Sequence, residues 1–401
     1  MNIAGGYYLE HCEEPYWHEL YGSGVRAAAA IGAVAKNLHL HTSVFEDDVR
    51  SLVAKASAFG FTTDYATVGY RTCFTYAHGL CTPAITPHPL QMKRGSPLKV
   101  GPSESVLRFG FIETDAVVQG ERVVYDPQSA YDPRPFWDNG STAKHLAIVA
   151  NRSEARMLTR TDDEEEMLTA LLTGQNVEVV VIKRGARGAL LATKTDRAVI
   201  PAYETDLVSP IGSGDVFGAF FALNWADRGI PAHDAATKAS KAAAYYCNGA
   251  VLPVAADYEK NFRFIPIVEK DPGREKTIYL AGPFFTMAQR WLIREALQHL
   301  SANKVRVFSP FHAVGAGPAH EIYTPDIEGL EKSDVVFACV DGLDSGTLYE
   351  IGYARARGKT VIVFVQNEGE GDMKMIVGGE CVVCSDFCTA IYKAIWATLR
   401  A

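Results

Sequence analysis

The string Asp341-Gly-Leu-Asp-Ser-Gly-Thr-Leu-Tyr-Glu350-Ile-Gly-Tyr-Ala354 places a carboxylate, Glu350, among Leu348, Ile351 and Ala354. A carboxylate with apolar neighbours is either a costly misfit or a working group. Asp344 lies six residues earlier, and Asp326-Ile-Glu-Gly-Leu330 supplies another acid ahead of an amphipathic stretch. Cleavage of a glycosidic bond requires paired carboxylates: one attacks or stabilises the anomeric carbon while the other handles the leaving group. A nucleobase leaves more readily when protonated or hydrogen-bonded, so a second acid beside the base has a physical task. The plain alternative is a helical Glu on a solvated face.

A second constellation is Pro210-Ile-Gly-Ser-Gly-Asp215, followed by the apolar run Val216-Phe-Gly-Ala-Phe-Phe-Ala-Leu223. Glycines at 212 and 214 let the backbone aim its N–H groups at one point, where the positive end of the following helix adds to the field. Such a nest suits a transferring phosphoryl group, with Asp215 placed to take a proton from an attacking hydroxyl. A glycine turn with a capping Asp is the structural alternative. Asn151-Arg-Ser-Glu154 follows a strand and opens a helix, and Val180-Val-Ile-Lys-Arg-Gly-Ala-Arg-Gly188 ends a strand in a glycine-rich turn.

The elements that hold these groups alternate along the whole chain. Short β-branched runs such as His145–Ala150 and Val177–Lys183 precede helical patterns, which predicts α/β structure with mainly parallel sheets. The periodicity breaks at Ile265-Pro-Ile-Val-Glu-Lys-Asp-Pro-Gly-Arg-Glu-Lys-Thr277, polar and rich in turn residues. The expected division is therefore a domain over 1–264, a linker over 265–276 and a domain over 277–401. In the second domain, strands are predicted at Thr277–Pro283, Val305–Phe308, Asp334–Val340 and Thr360–Val365. Between the first two, Thr286 and Gln289 have capping-box spacing, and Trp291, Leu292, Glu295, Ala296 and Leu300 give an amphipathic helix with its apolar side inward. Ala77–Pro102, rich in Pro and His and without a period, reads as a loop or lid. Phe284 and Phe285 fit base stacking and core packing equally well.

Length and composition bound the partners. The chain has 401 residues, 48% hydrophobic and 21% charged, with a formal charge of −8, so nucleic acid and anionic membrane are poor expectations and small molecules good ones. No apolar run is long enough for a membrane span and no signal-peptide layout opens the chain, so a cytoplasmic location is expected. Eight scattered cysteines are too sparse for a disulfide scaffold. Cys381, Cys384 and Cys388 invite a zinc reading that lacks a fourth ligand, and ordinary buried thiols are expected.

In order and spacing, Asn151-x-x-Glu154, Val180–Gly188 and Gly212-Ser-Gly-Asp215 resemble the PfkB/ribokinase family of sugar and nucleoside kinases, over roughly 1–262. Tyr21-Gly-Ser-Gly-Val-Arg-Ala-Ala28 resembles the N-terminal glycine motif of that family. The resemblance implies ATP and Mg2+, with Asn151 and Glu154 holding the metal through water. It further implies Gly212, Ser213 and Gly214 as anion hole, Asp215 as base, and Gly185 and Gly188 against the nucleotide. Ser209 stands where the family usually has Asp, and Arg26 near where an Asn touches the sugar.

Thr277-Ile-Tyr279 with Gly282, Asp326-Ile-Glu-Gly and Asp344-Ser-Gly-Thr-Leu-Tyr-Glu350 resemble nucleoside 2-deoxyribosyltransferases, over about 276–398. That resemblance implies Glu350 as nucleophile on C1′, Tyr279 as the hydroxyl that positions it, Asp326 and Asp344 on the base, and Gly282, Phe284 and Gly346 against substrate, without a cofactor. It also implies a homo-oligomer whose sites are completed near a neighbour's C-terminus, for which Tyr392 is the candidate here. The expected fold class is thus two parallel-sheet α/β domains, ribokinase-like followed by a Rossmann-like deoxyribosyltransferase fold. The expected activity is N-glycosidic cleavage or deoxyribosyl transfer on a nucleoside or nucleotide, coupled to a sugar or nucleoside kinase. The alternative makes the first domain a sensor or assembly module and the second a glycohydrolase acting on a nucleotide such as NAD; pure binding by both is a third reading.

Overall fold

A computed structural model of the chain describes residues 1–129, 131–315 and 317–401. The fold is α/β throughout and divides into two compact units: Met1–Thr205 with Ser209–Pro266, and Asp206–Val208 with Ile267–Ala401.

The first unit is built on a nine-stranded sheet. From edge to edge the strands are Arg197–Ile200, Ala189–Thr193, Val177–Lys183, Thr142–Asn151, Ala116–Asp126, Leu98–Phe109, Asn2–Ala4, His39–Phe45 and Thr62–Val68. The seven from Val177–Lys183 onward run parallel, and the first two add an antiparallel hairpin. Side chains alternate between two buried faces. Leu107, Val124, Val149 and Val181 enter one core, and Val106, Val123, Ile148 and Val180 the other. Burial on both faces is why these strands read as continuous apolar runs.

The segment 77–102 is more ordered than its composition suggests. Cys73–His78 and Ala84–Thr86 pair antiparallel within a separate four-stranded sheet that includes Leu9–Glu14 and Trp17–Leu20, and the strand Leu98–Phe109 starts inside the expected loop. Prolines occur at the ends of these short strands, where the missing N–H breaks no ladder bond.

The second unit carries five parallel strands in the spatial order Arg306–Phe308, Thr277–Ala281, Val335–Cys339, Thr360–Phe364, Val382–Cys384. Numbered along the chain this order is 2-1-3-4-5, a doubly wound sheet whose switch point lies between the first and third strands. Within the segment expected as a linker, the Lys270 N–H and the buried Lys276 ammonium both donate to the Leu399 carbonyl.

Thr286 and Gln289 do close a capping box on the helix Met287–Ser301. Its buried stripe is Ile293, Ala296 and Leu300, whereas Trp291 is 43% exposed, contrary to the expected inward face. The reason is angular: at about 100° per residue, position 291 lies on the opposite side of the helix from 293. All eight cysteines are free thiols. Cys384 and Cys388 are buried, and no three-ligand metal cluster among the described residues includes a cysteine. No helix among the described residues is long and apolar enough to cross a membrane.

Candidate functional site

In the second unit the candidate site forms at the switch point. Tyr279 is the central residue of the first strand and wholly buried. Its ring stacks on Phe308 of the neighbouring strand, with centroids 5.6 Å apart. After the third strand the chain turns through Gly342 at φ +89°, a conformation that suits glycine, and Asp344 then caps the helix Ser345–Ala356. Asp344 Oδ2 accepts from the Thr347 N–H at 2.8 Å and from its hydroxyl at 2.9 Å. A Cβ on Gly346 would stand 3.2 Å from that same Oδ2, so a small residue is needed beside the cap.

The cap orients the helix so that Glu350, less than two turns in, meets Tyr279, whose hydroxyl donates to Glu350 Oε1 at 2.5 Å. Burial pushes the Glu350 carboxyl up to about 7; the Tyr279 hydrogen bond opposes this, and the charges of Asp326 and Asp344 add to it. Asp326 comes from the helix Ala319–Lys332, directly after Pro325, and burial raises its pKa as well. Its Oδ1 is buried with no hydrogen-bond partner among the described residues. A buried oxygen without a partner costs roughly 1–3 kcal/mol, which points to a ligand donor or a carried proton. Glu350, Tyr279, Asp326 and Asp344 thus share one electrostatic environment.

The remaining candidates differ in burial and in what they touch. Phe284 is half-buried and stacks on Phe311 at 4.9 Å, with the Arg290 guanidinium over Phe311 and its Nε donating to the Phe284 carbonyl at 2.7 Å. Phe285 is exposed, so neither phenylalanine is core. Gly282 directly follows the first strand, where a Cβ would meet Ile293 Cδ1 at 2.5 Å, a packing demand. Tyr392 packs edge-on against Trp396 of its own helix.

In the first unit, Asp126, Asn151 and Lys183 end three adjacent parallel strands, and Asp215 lies in the first turn of the helix Ser213–Ala222. Asn151 and Glu154 form a reciprocal capping box, each side chain accepting the other's backbone N–H. Glu154 is nonetheless 4% exposed and pushed up to about 7 by burial and then by Asp126. The Lys183 ammonium pairs with Asp126, and a Cβ on Gly214 would be 3.4 Å from it. Ser213 and Asp215 spend their N–H groups on the carbonyls of Pro210 and Gly212, leaving that of Gly214 without a backbone acceptor among the described residues. Gly185 has φ +55° and Gly188 φ +74°, and at Gly188 the approach of Ile200 and Ala202 leaves no room for a Cβ.

Asp215 itself is fully engaged. Arg26, 1% exposed, donates to Asp215 Oδ2 at 3.0 Å and to Glu10 Oε1 at 2.8 Å, and Gln128 donates to Asp215 Oδ1. Burial pushes Asp215 up to about 6, against the pull of Arg26. The Arg26 side chain also covers Gly212, where a Cβ would stand 2.2 Å from it. Glu10, Asp126, Gln128 and Lys183 were missed by the sequence reading; Asp126, a carboxylate ending an apolar strand, is the one with a visible signal.

Comparison with known proteins divides the chain in the same sense. Residues 133–249 match the pfkB family carbohydrate kinase model and residues 278–381 the nucleoside 2-deoxyribosyltransferase model. An uncharacterized protein of Ureaplasma parvum serovar 3 is 34% identical over 99 residues, 21% of this chain and 62% of that one. A bifunctional ribokinase/ribose-5-phosphate isomerase A of Fructilactobacillus sanfranciscensis is 26% identical over 150 residues, 35% of this chain. The chain spans 62% of the first relative's length and 27% of the second's. Among solved structures, a Thermotoga maritima ribokinase is similar at 17% identity and TM-score 0.45, over 64% of this chain and 97% of that one. A Vibrio cholerae O395 fructokinase bound to fructose, ADP and calcium is similar at 15% identity and TM-score 0.47, over the same 64% and 97%. The chain thus joins a segment that matches the pfkB family carbohydrate kinase model to one that matches the nucleoside 2-deoxyribosyltransferase model.

Proposed function

We propose that the second unit breaks the N-glycosidic bond of a nucleoside or nucleotide, with Glu350 as nucleophile. The observation that carries this is the Tyr279 hydroxyl donating to a half-buried Glu350 at a topological switch point. In the reaction a Glu350 oxygen bonds to C1′ while the bond from C1′ to the base nitrogen breaks, and the electron pair leaves with the base. Asp326, whose raised pKa favours the protonated form, delivers the proton the leaving base needs. Attack at C1′ by a second base completes a transfer, and attack by water a hydrolysis; Glu350 is released in either case. Asp344 holds the helix in register and adds negative charge beside the anomeric centre. Glu350→Ala should abolish base release from a panel of nucleosides, nucleotides and NAD, read by mass analysis; unchanged release refutes the assignment.

For the first unit the leading reading is an ATP-dependent sugar or nucleoside kinase that supplies or consumes the second unit's substrate. The donor set fits Mg2+, a hard ion that takes oxygen ligands. Asp126 and Glu154 would hold it, with Asn151 contributing through water, and the ion would neutralise phosphate charge during transfer. Lys183 and the Gly214 N–H would face the transferred group, and Asp215 would accept the acceptor's proton.

A second reading, a sensor or assembly module, is favoured by the Arg26 network, which occupies one Asp215 oxygen while Gln128 occupies the other. Phosphoryl transfer from ATP in the parent that is lost in Asp215→Asn supports the kinase. Transfer absent from both supports the sensor.

A further inference from the structure

On the strand His39–Phe45, His39 and His41 are two residues apart and so project from the same side of the sheet. The edge strand Thr62–Val68 pairs alongside it in parallel, with His41 opposite Asp64. The three side chains converge: His39 Nε2 is 3.1 Å and His41 Nδ1 3.9 Å from Asp64 Oδ2, and all three atoms lie within 4.8 Å of one another.

What surrounds the trio decides which ring nitrogens carry protons. His41 Nε2 is 2.9 Å from Asn2 Oδ1, and the Asn2 amide nitrogen donates to Ser103 Oγ at 3.0 Å. An amide oxygen only accepts, so His41 carries its proton on Nε2 and presents a bare lone pair on Nδ1 toward Asp64. His39 Nδ1 is 2.7 Å from Thr62 Oγ1, whose hydroxyl donates to the Leu38 carbonyl at 3.3 Å. With its proton on Nδ1, His39 also turns a lone pair on Nε2 toward the same carboxylate oxygen. Two imidazole lone pairs and a carboxylate then point at one place, each ring held from behind by an outer hydrogen bond. That is how metal-binding histidines are oriented.

We propose that His39, His41 and Asp64 bind a divalent transition metal, with Zn2+ the best match. Two imidazoles and one carboxylate suit zinc far better than magnesium or calcium, which take oxygen ligands. Metal-to-ligand distances of about 2.0–2.2 Å require the three atoms to draw slightly together. Asp64, with 74% of its side chain exposed, is free to make that movement. Water completes the coordination sphere. The trio is already assembled without an ion, with His39 Nε2 3.1 Å from Asp64 Oδ2, so folding does not depend on metal.

The three residues lie in the first halves of their strands, whereas Asp126, Asn151 and Lys183 end theirs, so this site is at the other end of the parallel sheet from those groups. Its role is to clamp the edge strand, which has a partner on one side only, to the body of the sheet.

The test uses the full chain stripped of metal by chelator, titrated with Zn2+ by calorimetry and with Co2+ by absorption, with Tm followed in parallel. The expected result is one site, a Co2+ d–d band without a thiolate charge-transfer band, and a rise in Tm. Asp64→Asn, an exposed change that spares the fold, and the double variant His39→Gln/His41→Gln should each weaken binding tenfold or more and remove the Tm gain. Absence of Zn2+ binding at micromolar concentration, a thiolate band, or weakening below tenfold in either variant overturns the proposal.

Discussion

Replacing Tyr279 by Phe removes one hydroxyl and leaves the ring stacked on Phe308. The hydroxyl donates to Glu350, and hydrogen bonds to a charged acceptor contribute about 1.5–3 kcal/mol in favour of the charged form. At about 1.4 kcal/mol per pH unit, its loss raises the Glu350 pKa by about one to two units above the value of about 7 set by burial. The nucleophile must be ionised, so kcat/KM for base release should climb with pH to a plateau, with a midpoint that reports the free enzyme's carboxyl. The parent midpoint is expected near 7, and that of the variant near 8 to 9. At pH 7 the ionised fraction falls from about a half to about a tenth or a hundredth, so activity drops roughly fivefold to fiftyfold and recovers at high pH. The assay is initial-rate base release across pH 5 to about 10 on whichever nucleoside the parent cleaves. A variant midpoint that stays in place or moves down, or a loss that high pH does not restore, would refute the pairing of Tyr279 with an ionised Glu350.

Three further outcomes follow from the same site. A carboxyl whose folded pKa lies above its unfolded value costs stability as pH rises from 4.5 to about 7, here on the order of 3 kcal/mol, so Glu350→Gln should raise Tm above pH 7 and have little effect near pH 4. Asp344→Ala removes a helix cap and should cost about 1 kcal/mol in denaturant melts, whereas Asp344→Asn keeps the cap, so activity lost in the Asn variant isolates the need for charge. In Gly329→Ala the new Cβ falls 2.3 Å from the Phe308 ring, which must press on Tyr279; a loss of about 1–3 kcal/mol together with a lower kcat is expected, and unchanged kcat would show that Phe308 does not position Tyr279.

Local chemistry was legible where it is written locally. The capping box at Thr286 and Gln289 and the strand cores at 335–339 and 360–364 follow from spacing and periodicity over a few residues. Trp291 shows the limit: an aromatic residue suggests burial, but the angle around the helix set by Ile293, Ala296 and Leu300 decides. In 77–102 the Pro and His content hid the short strand Ala84–Thr86, which pairs with Cys73–His78; that strand in turn pairs with the distant Leu9–Glu14, a pairing no local window contains.

The candidate sites divide the same way. Asp344 and Glu350 could be read together because one helix and its cap join them. The hydroxyl of Tyr279 lies 71 residues from Glu350, and Arg26 lies 189 residues from Asp215. Residue types, periods and caps depend on a few consecutive positions, so the chain's order already settles the α/β class and which acids and glycines are available for chemistry. The raised carboxyl of Glu350, the engagement of both Asp215 oxygens and the convergence of His39, His41 and Asp64 arise only on folding, because desolvation and ion pairing act between groups that distant segments bring into contact.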